Sequence, residues 1–398
     1  MLINPIATTP DVTVRDLFFG SASVGPVDPK AIAELNIVQL GEALTKLGHS
    51  VTVILGDPFL DGRHYTLSDR LEVTSTHATL PRVFHPGIVP LTPGLRQHPA
   101  LRSSDVVQTG EFHQPSTYFA CQAARAAAIP LVLWQETFSP MRAPGRWYQW
   151  GYERVVGNRV RSVAKLFVPR TTKAGPYLLK LGIPEKALTE WIPTGIDLSI
   201  YHPKSSPIDP AEFGWRREAR ILLVVARLHR DKGIDFALRV LSRLRRSDPN
   251  LRLIVRGSGP AYASLVRLAA DLGVEDLVRF IGRVSRERMV DLYNAATLVL
   301  STSQNDLLPF ALLEASACAR PCVATDAGAI TDIVVDGQTG VVQRGRSEED
   351  FANAVLALLR DDERRIRMET RARERMETLF SLPRVAGALT QVYNRARE

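Results

Sequence analysis

From Arg220 to Thr325 the sequence repeats one pattern, a short apolar run followed by a longer segment with helical periodicity. Arg220–Ala226 is almost continuously apolar, as expected of a strand buried on both faces. After a polar loop, Ile234, Ala237, Leu238, Leu241 and Leu244 fall on one helical face, and the segment stops near Asp248-Pro249. The cycle recurs as strand Leu251–Val255 with helix Ala261–Leu272, strand Leu277–Ile281 with helix Ser285–Ala295, and strand Thr297–Ser301 with helix Phe310–Ala319. Strand Cys322–Thr325 and a short helix close it. Alternation at this pitch predicts a parallel sheet with helices on both faces, an α/β doubly wound domain.

The first half follows the same grammar with longer loops. Val12–Phe18, Ser50–Leu55, Asp105–Thr109, Pro130–Trp134 and Ala164–Val168 read as strands, and Asp28-Pro29 as the cap of a helix running to Gly48. With 398 residues, the chain is long enough for two such domains. We place the first, Rossmann-like, at 1–200, a Pro- and Ser-rich linker at 201–217, and the second, also Rossmann-like, at 218–382. The last helix, within 383–398, is expected to cross back to the first domain.

Hydrophobic residues make up 45% and charged residues 23%, an ordinary globular balance. No apolar run approaches the roughly 18 to 20 residues of a membrane span. Met1–Pro10 lacks the layout of a signal peptide, so the reading is cytoplasmic. Cys121, Cys318 and Cys322 fit buried thiols and no disulfide framework or zinc motif. The formal charge of +8 is concentrated between Arg142 and Lys173, where eight basic residues face Glu153 alone. Trp147, Tyr148, Trp150 and Tyr152 lie in the same stretch. Such a segment can be a solvated helix, can receive an anionic acceptor, or can rest peripherally on the anionic inner surface of a membrane.

Four features of the second half fall on the carboxyl edge of its sheet. Arg227 and Lys232 follow the first strand. Gly257-Ser-Gly259-Pro260 is a turn where backbone can approach a ligand closely. Gly282-Arg283-Val284 follows the third strand, and Asp306 and Glu314 flank the start of a helix. Paired cations beside helix N-termini suit a diphosphate, and two acids so spaced contact separate parts of an extended ligand instead of one metal.

Together these residues resemble the retaining glycosyltransferases of family four, whose fold is named GT-B: two Rossmann-like domains facing across a cleft. The landmarks Leu44–Val53, Trp191-Ile-Pro-Thr-Gly195-Ile-Asp197, Thr325-Asp-Ala-Gly328 and Asp336-Gly-Gln-Thr-Gly340 extend the resemblance over nearly the whole chain. It implies transfer of a sugar, with retention, from a UDP- or GDP-linked donor to a glycan, lipid or small-molecule acceptor. Arg227 and Lys232 would hold the diphosphate, beside the Gly257 and Gly259 turn. Glu314 would accept from the ribose and Asp306 from the donor sugar, with main chain near Val284 touching the base. Pro309 stands where the family has glycine and lacks an N–H, leaving Phe310 and Ala311 as backbone donors. In the first half, Thr109-Gly-Glu111-Phe-His113 matches the region where the family carries a histidine near the reacting sugar, so Glu111 and His113 are further catalytic candidates. That usual place aligns with Gly110, which makes His113 displaced. The Gly20–Gly25 loop is expected to face the cleft. The chain has no Asp-x-Asp motif, and no metal or other cofactor is expected.

Three rival classes share parts of this pattern. A nucleotide-sugar epimerase has the same diphosphate site, so fold alone does not separate it. A basic nucleic-acid-binding protein suits the charge but finds no helix-turn-helix, RNP or zinc pattern here, and none is expected to bind. A dehydrogenase would need Gly-x-Gly-x-x-Gly after a first strand.

Overall fold

The computed structural model describes residues 2–3, 32–56, 60, 63–78, 91–141, 143, 145–205 and 208–398. The chain forms two compact units, one of 1–195 with 382–398 and one of 196–381.

The first unit holds a seven-stranded sheet of β1 (Leu2–Ile3), β2 (Val51–Gly56), β3 (Tyr65–Ser68), β4 (Leu71–Thr76), β5 (Val107–Gly110), β6 (Leu131–Gln135) and β7 (Ala164–Pro169), in the order β3-β4-β2-β1-β5-β6-β7. Every pairing is parallel except the β3–β4 hairpin. Leu2–Ile3 takes the place between β2 and β5. The expected strand Val12–Phe18, the Asp28-Pro29 cap and the Gly20–Gly25 loop lie outside the described residues. Helices α1 (Asn36–Thr45), α2 (Pro115–Ala126), α3 (Gly145–Tyr152), α4 (Asn158–Val163) and α5 (Ala174–Lys180) accompany the sheet, with a π turn at Glu153–Gly157 joining α3 to α4.

The second unit is a six-stranded, wholly parallel sheet: β8 (Arg220–Val225), β9 (Leu251–Arg256), β10 (Val278–Ile281), β11 (Ala296–Ser301), β12 (Cys322–Thr325) and β13 (Gly340–Gln343). Its order, β10-β9-β8-β11-β12-β13, is that of the dinucleotide-binding folds. The helices are α6 (Ile234–Leu244), α7 (Tyr262–Asp271), α8 (Arg286–Ala295), α9 (Phe310–Ala317), α10 (Glu348–Arg360) and α11 (Asp362–Arg375). Leu222, Val224, Leu253, Val255 and Leu298 from the sheet pack with Ile234, Leu238, Leu241 and Phe351 in one core. Polar caps set the helix starts: Ser285 accepts from the Arg288 N–H (3.2 Å) and Ser347 from the Asp350 N–H (3.1 Å).

Residues 201–217, expected to be a linker, are part of the second unit. Tyr201 is buried edge-on against Tyr293, Lys204 pairs with Asp291 at 2.7 Å, and the Trp215 indole donates to the Asp276 carbonyl (3.2 Å). The aromatic residues of this stretch outweigh its prolines and serines. The chain instead passes between the units at Gly195/Ile196 and Ser381/Leu382. Helix α12 (Leu382–Arg397) then returns to the first unit, burying Val385, Ala386 and Leu389 against Val38, Leu44 and Val51. Gly195 lies against Leu382, where an added side chain would crowd the leucine.

All three cysteines are buried free thiols, and burial pushes each up to about 12. No helix among the described residues is long and apolar enough to cross a membrane.

Candidate active site

In the second unit the chain leaves β8 toward β9 and leaves the adjacent β11 toward β12 on the other side. Loops from the two carboxyl ends therefore diverge, and such a point is where open α/β sheets take ligands. The residues singled out in the sequence cluster there.

Arg227 follows β8 and is exposed. The backbone around it is fixed by donation from the Ala226 N–H to the Arg256 carbonyl (3.1 Å) and from the Leu228 N–H to the Ser258 carbonyl (2.9 Å). These bonds dock the glycine turn onto the Arg227 loop. Gly257 and Gly259 have φ of 145° and 156°, and a Cβ would run into the Ala226 carbonyl at one and the Leu228 carbonyl at the other. Only glycine allows this approach.

Lys232 closes a single 3-10 turn. Its carbonyl accepts from the Thr302 hydroxyl (3.2 Å), and the preceding Asp231 carbonyl accepts from the Gln304 N–H (2.7 Å). The loops after β8 and β11 are thus joined. Across that junction the Lys232 ammonium meets the Asp306 carboxylate, Nζ to Oδ2 2.7 Å, with side chains only 13% and 21% exposed. Asp306 is held from behind, its carbonyl accepting from the Ala329 N–H (3.4 Å) while Gly328 packs directly on it. An ion pair so shielded from water is stronger than an open surface pair.

Glu314 lies in the second turn of α9 and is buried, 5% exposed. The Tyr293 hydroxyl of α8, itself buried, donates to Glu314 Oε2 at 2.6 Å. Burial and the neighbouring carboxylate hold that hydroxyl well above the usual phenol range, so it remains a donor. Phe310 and Ala311 are the first two residues of α9, with N–H groups that no earlier turn can accept. Val284 is half-buried just beyond β10, the outer strand of the sheet.

The first-unit candidates have a different character. Glu111 sits at φ 59°, a sparsely populated conformation for a residue with a side chain. Its Oε1 accepts from the Glu136 N–H (2.7 Å) and its Oε2 from Gln135 Nε2 (2.9 Å) and the Thr137 N–H (3.2 Å). Gln135, fully buried, accepts in turn from the Phe112 N–H (2.8 Å). Glu111 therefore ties the end of β5 to the end of β6. His113 is 7% exposed, with its ring edge-on to Phe112 (5.0 Å) and Tyr152 (5.8 Å). Its Nε2 lies 3.2 Å from Glu153, which also accepts from Arg161 at 2.8 Å. Burial alone would raise the Glu153 carboxyl, but its bonds to His113 and Arg161 hold it below the usual range. His113 is thus an interior residue of an aromatic cluster.

Tyr293, Gln135 and Glu153 were not foreseen. Gln135 had a signal, a lone amide ending the apolar run Leu131-Val-Leu-Trp134. Tyr293 had none, since its partner is distant in sequence. Among the described residues, no cluster of three or more His, Cys, Asp or Glu could hold a metal ion.

Residues 205–375 match the profile of the family described as glycosyl transferases group 1. The matched stretch contains Arg227, Lys232, the glycine turn, Asp306 and Glu314. The chain is 32% identical to a D-inositol 3-phosphate glycosyltransferase of Nocardia farcinica over 55% of its own length and 50% of that protein. With one from Frankia alni it shares 28% over 67% of this chain and 72% of the relative. It spans about half the length of the first of these curated relatives. Among solved structures, sucrose-phosphate synthase from Thermosynechococcus elongatus aligns with a TM-score of 0.75 at 20% identity, covering 99% of this chain and 98% of that one. HepE of Anabaena, solved with UDP, aligns with a TM-score of 0.72 at 17% identity over 90% and 96%. The two units thus have the GT-B fold, two α/β Rossmann-like sheets.

Proposed function

We propose that the chain is a retaining glycosyltransferase that moves a sugar from a nucleoside-diphosphate sugar to an acceptor without a metal ion. The observation that carries this reading is the Lys232–Asp306 pair at the β8/β11 divergence, with the Arg227 loop fixed beside it. Breaking a sugar–phosphate bond leaves negative charge on the diphosphate, and preorganised cations stabilise that charge as it develops. Arg227 and Lys232 supply two, and the N–H groups of Phe310 and Ala311 supply donors beside them. Asp306, held by the lysine, accepts from a hydroxyl of the donor sugar, and Glu314, held by Tyr293, from the ribose. The Gly257–Gly259 turn lets backbone approach the diphosphate, and main chain at Val284 borders the base. Retention follows if the departing phosphate guides the acceptor onto the face it leaves.

The curated relatives are named for transfer to D-inositol 3-phosphate and HepE was solved with UDP, which makes UDP-sugars the first donors to try. A thermal-shift screen across UDP-, GDP- and ADP-sugars is expected to pick out one nucleotide class, because a tight ligand raises the midpoint by mass action. No stabilisation by any of them would end the donor reading. With the donor known, turnover is expected to persist in EDTA, and proton NMR of early product to show the donor's anomeric configuration. Loss of turnover in EDTA with recovery in manganese, or an inverted product, would refute those parts separately.

A further inference from the structure

The outer side of α3 and the π turn after it carries three large apolar side chains in water: Trp147 is 74% exposed, Trp150 57% and Val155 73%. Packing does not require this. The inward side is already filled by the buried Gln149 and Tyr152, and two phenols anchor the helix. Tyr148 donates to the His113 carbonyl (2.8 Å) and Tyr152 to the Gln114 carbonyl (2.9 Å). The two indoles thus stand outside a helix already secured by its tyrosines.

Charge on the same side has one sign. Arg146, Arg154 and Arg159 are exposed, and the Arg154 guanidinium lies 4.5 Å from the Trp150 ring. Glu153 is the single acid between Arg142 and Lys173, and it is turned inward onto His113 and Arg161. The result is an apolar stripe bordered by cations, with no outward-turned carboxylate among the described residues of 143–173. Exposed patches of this kind mark interaction sites. Indoles favour the boundary between headgroups and acyl chains, while arginines complement anionic headgroups.

We propose that this side of α3 and the π turn is a docking surface for an anionic lipid bilayer, with Trp147, Trp150 and Val155 entering the interface and Arg146 and Arg154 facing the headgroups. The protein would bind the membrane peripherally and reversibly.

The full chain, without donor or acceptor, is sedimented with vesicles of phosphatidylcholine alone and of phosphatidylcholine mixed with phosphatidylglycerol, so the result stands apart from sugar transfer. Expected is binding to the anionic vesicles only, weakened by salt, with tryptophan emission moving to shorter wavelength. At about fivefold per charge, Arg146→Gln with Arg154→Gln is expected to weaken partition roughly twenty-fivefold. Trp147→Ala with Trp150→Ala is expected to abolish the emission change while leaving the thermal midpoint within error. No binding, equal binding to neutral vesicles, undiminished binding by both double variants, or concentration-dependent self-association abolished by the tryptophan changes in place of lipid binding would each overturn the proposal.

Discussion

Replacing Lys232 by alanine is expected to lower donor turnover by more than about thirtyfold, and by more than the corresponding change at Arg227. A cation about 4 Å from a phosphate charge, at an effective dielectric near 20, contributes roughly 4 kcal/mol of gross attraction. Losing half of that is about thirtyfold in rate. Lys232 carries a second effect, because its ammonium is paired with Asp306 at 2.7 Å. Without the lysine, the carboxylate stands uncompensated beside an anionic ligand and repels it. Arg227, exposed on its loop, unmasks no such charge in the described contacts. The double change Lys232→Ala with Asp306→Asn is therefore expected to bind the nucleoside diphosphate more tightly than Lys232→Ala alone, and Asp306→Asn at least as tightly as the unaltered protein. Calorimetric titration of the four proteins checks that order. If Asp306→Asn gives no recovery in the Lys232→Ala background, the pair does not face the diphosphate.

Gly257→Ala is expected to destabilise the second unit by about 2 to 6 kcal/mol, from strained backbone of about 1 to 3 kcal/mol and a crowded contact of similar size. For a unit of this length that corresponds to a fall of roughly 10 °C in its unfolding midpoint. The residue has φ 145°, and its new methyl group would be driven into the Ala226 carbonyl at the end of β8. Yielding means moving the Arg227 loop, so nucleotide binding is expected to fall with stability. Gly337→Ala separates the two causes: its φ is 72°, but nothing stands within 4 Å of the added atom. It is expected to lose only the conformational part, about 1 kcal/mol, and to keep full binding. Thermal denaturation of both variants decides the matter. Equal midpoints would show that the close approach contributes nothing.

The second unit was readable because its strands are covered on both faces. Arg220–Val225 and Leu251–Arg256 are apolar almost throughout, so composition alone marks them, and the glycine turn and cation pair follow at fixed offsets. β3, the outermost strand beside β4, gave no signal: Tyr65–Ser68 alternates half-buried and exposed residues, and a short polar run resembles a loop. β1 has only two residues and takes its identity from β2 and β5. Glu111 and His113 show a related limit of sequence patterns. A carboxylate and an imidazole near the end of a strand look alike in sequence whether they face a substrate or bind Glu136, Thr137 and Glu153 internally. What separates the cases is the partner, and every partner here lies more than twenty residues away. The bond of Asp306 to Lys232 spans 74 positions, and no local pattern announces it.

The return of α12 has a consequence for how the molecule is made. Leu382, Val385, Ala386, Leu389 and Val392 complete an interior whose other walls come from α1 and β2. A growing polypeptide has those walls before residues 196–381 are made and lacks the closing piece until after them. Residues 196–381 draw on neighbours within their own stretch and can finish first. The first unit thus precedes the second in synthesis yet is completed after it, with part of its apolar interior uncovered in between.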